Sequence, residues 1–362
     1  MTVPRRNHAP REPTFPYRGR VINEPVAPES SAPDSTDPER TPRRRAALIY
    51  NPVKLEADEL RPVLEAAEAE AGWEPSLWLE TTEEDPGAGQ AAEALAEGAD
   101  VVIAAGGDGT VRVVAEALRG SGVPLALLPS GTGNLLARNL DLTLDDAETS
   151  LRTALSGTDR PIDMALIEIR GDDGRTRRHA YLVMAGLGLD AKMLANTDDD
   201  LKAKAGWLAY VKAIGLALRD KNQLRLRYRL DGKGVRSMRA HTLMIGNCGS
   251  LPANILLLPD AAVDDGEFDI VVLRPEGFIG WVQIMTKIFW ENGVLRRTTA
   301  GRRLMGLTKE VRALNYLKGR ELVVSLSRAE QIQLDGDPFG EAKSFRTWVD
   351  PSSLLVRVPA DD

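Results

Sequence analysis

Val101-Val102-Ile103-Ala104-Ala105-Gly106-Gly107-Asp108-Gly109-Thr110 is the stretch on which the fold of this chain turns. Five consecutive apolar residues read as a buried strand, Gly-Gly-Asp-Gly as a turn almost without side chains, and residues 111–118 as the helix that the turn opens. A strand, glycine turn and helix start together aim backbone N–H groups and the positive helix end at an anion, here expected to be a nucleotide phosphate. Asp108 lies inside this anion-seeking turn, and an acid beside a phosphate is tolerated when a metal ion lies between them. On its own the turn also fits a plain tight corner.

A second copy of the pattern follows. Pro129-Ser130-Gly131-Thr132-Gly133-Asn134 succeeds the apolar run 125–128 and leads into 135–140, which has helical spacing. Two such turns at the carboxyl ends of strands in one α/β sheet fall on the same rim, where open sheets bind ligands. Thr132 and Asn134 add a hydroxyl and an amide suited to phosphate, ribose or base. The same residues beside a helix start are also ordinary N-caps, and the two roles are compatible.

Working outward, the chain alternates strand and helix from residue 46. Strands are expected at 46–50 and 77–79, helices at 57–71 and 89–97, and two further helices end near Gly157; this is a parallel, doubly wound half. After Arg160 the period changes to two. Leu224-Arg225-Leu226-Arg227-Tyr228-Arg229-Leu230 alternates, the turn Asp231-Gly232 follows, and another run ends at Met244-Ile245. Further strands at 268–273, 322–326, 331–334 and 354–358 make the second half mainly antiparallel β. The arginines at 225, 227 and 229 read as a solvated strand face, because no aromatic stripe for base stacking accompanies them. Gly186-Leu187-Gly188-Leu189-Asp190-Ala191 matches a dinucleotide-binding pattern, but no βαβ unit continues from it.

At 362 residues with 43% hydrophobic composition the chain can supply a core for each of two domains. Its single cysteine, Cys248, excludes an internal disulfide framework, points to a reducing compartment and reads as a small buried residue. A net charge of −7 and a pI near 5.3 argue against nucleic acid as the main partner, while leaving a membrane open, since there local basic patches count for more. Residues 1–45 hold nine of the 22 prolines and nine arginines against six acids, so they are expected to be a disordered Pro/Arg-rich tail. No signal-peptide core and no run of about 18 apolar residues is present, so a cytoplasmic protein is expected, with peripheral contact at the inner membrane face.

The pair Gly-Gly-Asp-Gly-Thr and Pro-x-Gly-Thr-x-Asn, preceded by Ile49-Tyr50-Asn51-Pro52, resembles the catalytic-domain family of diacylglycerol kinases, which includes sphingosine and ceramide kinases and bacterial multi-substrate lipid kinases. The resemblance runs from about residue 46 to about 357. The glycine motif alone is shared with NAD kinases and phosphofructokinases; the Gly-Thr-x-Asn element is what separates the lipid kinases from NAD kinases. The resemblance implies an α/β, Rossmann-like ATP-binding domain at 46–158 and a mainly antiparallel β-sandwich lipid-substrate domain at 159–362, with the C-terminal tail packing back on the first. The active site would lie in the cleft between them.

What it implies about chemistry is ATP- and Mg²⁺-dependent phosphorylation of a lipid hydroxyl, diacylglycerol-like or sphingoid. The nucleotide site would comprise Asn51, Lys54, Thr82, Gly106, Gly107, Asp108, Gly109, Thr110, Thr132 and Asn134, with Asp108 also engaging the magnesium of ATP. Lys54 stands where the family is glycine-rich, and reads either as a phosphate contact or as a solvated loop lysine. Thr82 reads either as a nucleotide contact or as a helix N-cap. Asp337, in Gln333-Leu334-Asp335-Gly336-Asp337, takes the position of the family's proton-accepting Glu, one methylene shorter; Asp-Gly is equally a hairpin corner. Asp190 matches a lipid head-group contact or a turn aspartate. Asp265, in Asp264-Asp265-Gly266-Glu267-Phe268-Asp269, matches a structural magnesium ligand or an acidic turn. Residues 278–303, an apolar helix-length run with two Trp and two Phe followed by four arginines, read as a membrane contact or a core helix. Two alternative functions stand beside this reading: an NAD kinase-like enzyme with a soluble substrate, and a nucleotide-gated lipid-binding protein without turnover.

Overall fold

The computed structural model describes residues 44–188, 223–251, 255–275 and 314–360. Asp190, the 278–303 segment and the tail up to residue 43 lie outside these described residues.

The first half runs β1 (Arg45–Tyr50), α1 (Ala57–Ala71), β2 (Glu74–Glu80), α2 (Ala88–Ala96), β3 (Val101–Gly106), α3 (Asp108–Leu118), β4 (Leu125–Pro129), α4 (Leu135–Asn139) and α5 (Ala147–Ser156). Its strands are parallel in the order β2-β1-β3-β4, so the winding reverses between β1 and β3. That reversal opens the crevice where doubly wound sheets hold ligands. β3 is apolar throughout because helices cover both of its faces. Val102 and Ala104 pack with Ala91, Ala94, Val111, Val114 and Leu118 of α2 and α3. Val101, Ile103 and Ala105 pack on the other side with Leu60 and Leu64 of α1 and Leu151 and Leu155 of α5.

The second half runs β5 (Thr158–Arg170), β6 (Thr176–Tyr181), β7 (Met184–Leu187), β8 (Leu224–Leu230), β9 (Arg236–Ala240), β10 (Thr242–Gly246), β11 (Ser250–Leu251), β12 (Ile255–Leu256), β13 (Phe268–Leu273), β14 (Leu314–Gly319), β15 (Glu321–Leu334) and β16 (Asp337–Val358). Its pairings are antiparallel. Every second residue of β8 (Leu224, Leu226, Tyr228) turns into a core shared with Val324 and Leu326 of β15 and Phe345 of β16. Gly186 lies in β7, an antiparallel strand between β10 and β15, and Gly188 just past its end, so this glycine pair does not follow a parallel strand as a dinucleotide unit requires.

One strand joins the halves. β16 pairs with β15, with β5 along most of its length, and in parallel through Val356 with Leu125 of β4, so among the described residues a sheet of 14 strands runs continuously through both halves. The β15–β16 connection is a two-residue turn, Asp335-Gly336, with both φ angles positive at 49° and 94°. Such a turn matches strand twist and suits Asp-Gly.

Candidate functional site

The two glycine turns meet. A methyl group added to Gly131 would lie 2.6 Å from the Cα of Gly107, so only glycine lets the backbones of the two turns approach this closely. Gly107 is the N-cap of α3 and offers no capping side chain, which leaves the first-turn N–H groups of that helix directed to the crevice. Asn134 stands at the N-cap of α4 in the left-handed region, φ 47°, and does not cap it. Its side chain closes the second turn on itself, accepting the Gly131 N–H at 3.1 Å and donating to the Gly131 carbonyl at 2.8 Å. Thr132 is exposed at the tip of this turn.

Asp108 ties the turns together. Its Oδ1 accepts the Leu135 N–H at 2.5 Å, so the first turn supplies the cap of α4 that Asn134 does not. A methyl on Gly133 would overlap Asp108 Oδ2. Burial raises the Asp108 carboxyl above the ordinary range; the Leu135 and Asn134 N–H groups pull it back, and the Asp337 charge pushes it up again.

Asp337 arrives from the other half of the molecule. It is the first residue of β16, and a methyl on Gly109 would lie 3.0 Å from its Oδ2, so the carboxylate sits over the first turn of α3. Thus the hairpin-corner reading of Asp-Gly and the site reading of Asp337 describe one feature. Arg112, unremarked in the sequence, approaches the same oxygen at 4.0 Å and stacks on Phe339 with its guanidinium carbon 4.6 Å from the ring centroid. Its side chain is 9% exposed, and among the described residues its Nε has no hydrogen-bond partner. Position 112 gave no signal because it lies on a helix whose other face already accounted for the apolar pattern.

Asp335 is the second residue that sequence reasoning passed over. Its buried carboxylate accepts the N–H groups of Leu182, Val183 and Met184, each at 2.9 Å, and so fastens the hairpin to the strand connection before β7. Burial pushes its carboxyl up to about 6 against the opposing pull of the three N–H donors and Arg112. The acid is neutral in both folded and unfolded states below about pH 4, and its contribution to stability is complete there. As pH rises through the folded value, the native state must carry a buried charge and that contribution is lost, by roughly 3 kcal/mol for two units. Relative to Asp335→Asn, which cannot titrate, the protein should lose stability between pH 4 and 7 in paired thermal melts. A pH-independent difference would mean that the three donors balance the burial cost.

The remaining candidates occupy the same rim or lie away from it. Asn51 follows β1 and its Oδ1 accepts the Val53 N–H at 2.9 Å, a turn that carries Lys54. Lys54 Nζ lies 3.9 Å from where a Gly107 Cβ would stand, so this lysine faces the first glycine turn. Gly106 and Thr110 pack on each other. Thr82 Oγ1 accepts the Asp85 N–H at 3.0 Å, while Asp85 receives the N–H groups of Ala88 and Gly89; the helix cap at α2 is therefore Asp85. Asp265 is distant in role: its Oδ2 pairs with Lys318 Nζ at 2.7 Å, and the same ammonium reaches Asp269 Oδ2 at 3.5 Å and the Asp260 carbonyl at 3.3 Å. An ammonium thus already balances the charge of this acidic turn, and among the described residues no group of three or more His, Cys, Asp or Glu is arranged for a metal. Cys248 is buried and its thiol is pushed up by burial, as a packing residue's would be. Among the described residues no helix is long and apolar enough to cross a membrane.

Comparison with known proteins agrees with this architecture. Residues 45–167 match the diacylglycerol kinase catalytic domain, and residues 183–358 match the YegS C-terminal NAD kinase beta sandwich-like domain. A Pseudomonas aeruginosa PAO1 protein named "Probable lipid kinase YegS-like" is 34% identical over 327 residues, covering 87% of this chain and 95% of its own. This chain belongs to the diacylglycerol kinase catalytic-domain family. A Bacillus subtilis strain 168 relative of the same family, named "Diacylglycerol kinase", is 27% identical over 303 residues, covering 81% of this chain and 90% of its own. A crystal structure of a diacylglycerol kinase from Bacillus anthracis Sterne superposes with a TM-score of 0.61 at 19% identity, covering 88% of this chain and 98% of that one, and shares the two-part fold. The chain is a kinase by family, and the family implies ATP as phosphoryl donor.

Proposed function

We propose that this kinase transfers the γ-phosphoryl group of ATP to the hydroxyl of a membrane lipid, diacylglycerol-like or sphingoid. The observation that carries the reading is the position of Asp337 over Gly109, which puts a carboxylate from the β-rich half beside the phosphate-seeking turn of the α/β half. The first-turn N–H groups of α3 hold the phosphates, with Lys54 adding a positive charge beside Gly107. Asp337 takes the proton of the acceptor hydroxyl while that oxygen forms its bond to the γ-phosphorus and the bond to the β-phosphate oxygen breaks, releasing ADP. Arg112 offsets the charge of Asp337 and holds it toward the turn.

The site also fits a magnesium ion carried in with the nucleotide. Asp108 keeps Oδ2 beside the glycine backbone; burial first, and the neighbouring Asp337 charge after it, disfavour its ionised form, and a cation relieves both. Asp108 would hold the ion, which supplies neutralisation of the charge on the transferring group; one or two carboxylates plus substrate phosphates are the usual protein share of such a site. The names of the relatives support the lipid acceptor.

Radiolabelled ATP with Mg²⁺, offered in parallel with diacylglycerol, with ceramide or sphingosine, and with NAD, tests the proposal. Label should enter the organic phase with a lipid. Label in NAD would replace the reading by a soluble-substrate kinase. Nucleotide binding without incorporation into any acceptor would replace it by a nucleotide-gated lipid-binding protein.

A further inference from the structure

Away from the glycine rim, the outer face of β8, β9 and β15 forms a groove of about 500 Å³ whose lining includes Arg225, Arg227, Arg239 and Arg274 together with Ser237 and Ser325. The strand register builds it. Arg225 stands directly opposite Arg239, and Arg227 lies in one row between Ser237 and Ser325. All four arginines are exposed, and among the described residues none has a carboxylate partner, although the chain carries a net charge of −7 and other surface arginines, such as Arg119, Arg160 and Arg177, find one. Like charges directly opposite on paired strands destabilise a sheet, so the Arg225–Arg239 pair carries a cost.

We propose that this groove docks the protein on a membrane by binding the phosphate groups of anionic phospholipids. Guanidinium forks interleaved with hydroxyls match the oxygens of a lipid phosphate in geometry as well as charge. The volume suits one head group, and the arginines to either side extend the contact to its neighbours. Among the described residues no aromatic lines the groove, so they provide none of the stacking surface that single-stranded nucleic acid uses. From Ser325 to the end of β15 the strand runs about 30 Å, at roughly 3.3 Å per residue, which separates the groove from Asp337. The inference is independent of the phosphotransfer reading, because docking is measured without nucleotide or turnover.

The test is co-sedimentation with phosphatidylcholine vesicles with and without phosphatidylglycerol. The protein should bind the anionic vesicles selectively, and less so as salt rises. Replacing Arg225, Arg227, Arg239 and Arg274 together by Gln should weaken that binding by about tenfold or more. A control with the same charge loss elsewhere, Arg61→Gln with Arg152, Arg170 and Arg175→Gln, should keep it. The pair Arg225→Gln and Arg239→Gln should weaken binding while leaving the melting temperature unchanged or raised, since it relieves the opposed charges; a folding defect would lower both. Equal binding to neutral and anionic vesicles, or anionic binding that survives the fourfold replacement, overturns the proposal. So does a groove that takes up inorganic phosphate, an acidic peptide or an oligonucleotide while vesicles stay unbound.

Discussion

Asp337→Asn lowers kcat for lipid phosphorylation by about 10²- to 10⁴-fold, the range that a positioned general base contributes. The amide keeps the shape of the side chain above Gly109 and leaves the Asp335-Gly336 turn intact, so the hairpin should still form. What is lost is the acceptor for the hydroxyl proton. Because the carboxylate acts on the lipid side, the dissociation constant for ATP should stay within about threefold, and the loss should fall on kcat and kcat/KM together. Calorimetric titration with ATP beside steady-state kinetics separates the two effects. An equal fall in ATP affinity would make Asp337 a structural residue of the turn and remove it from the chemistry.

Asp108→Asn produces the second large effect, by a different route. The amide oxygen can still accept the Leu135 N–H and fills the same space beside Gly133, so melting temperature should change little. The charge that would hold the magnesium of ATP is gone. Turnover should fall by about 10³-fold or more, as expected when metal-assisted charge neutralisation is removed from phosphoryl transfer. A binding readout accompanies it: Mg²⁺ should strengthen ATP binding to the protein and fail to do so for the variant. Asp108→Ala would add the loss of the α4 cap, about 1 kcal/mol of stability, which distinguishes the two duties of this side chain. Kinetics unchanged at saturating Mg²⁺ would refute the metal role.

Most elements of the parallel half were legible because its rules are local, although β2 begins at Glu74, three residues before the strand expected at 77–79. Helical spacing marks α1 at 57–71, and the structure has α1 at Ala57–Ala71. In the antiparallel half, period-two alternation marks 224–230, and β8 spans Leu224–Leu230. The glycine turns appear where the sequence places them, between an apolar strand and a helix start. Elsewhere local rules failed for identifiable reasons. β5 is buried on both faces along residues 162–167 and so shows no alternation, and its Pro161 demotes it as a strand. β16 reads as a short strand at 354–358, yet it begins at Asp337; Pro351 and the left-handed Ser352, φ 49°, mark a bulge that a sequence shows as an end. β15 likewise reads as two pieces, because its register shifts between Ser325 and Glu330.

By itself, then, the sequence determined which segments become strands and helices where periodicity is undisturbed, and which backbone turns are free of side chains and able to face a phosphate. Only the tertiary structure decided that Gly131 touches Gly107, that Asp108 caps a helix begun by the other turn, and that Asp337 and Arg112 meet above Gly109. It also decided that Arg225 faces Arg239, where alternation alone describes a solvated strand face. The physical reason is the same in each case. Turn and helix preferences are set by a few neighbouring φ and ψ angles, whereas the meeting of distant side chains is set by strand register and by one strand, β16, whose hydrogen bonds bridge the two halves of the sheet.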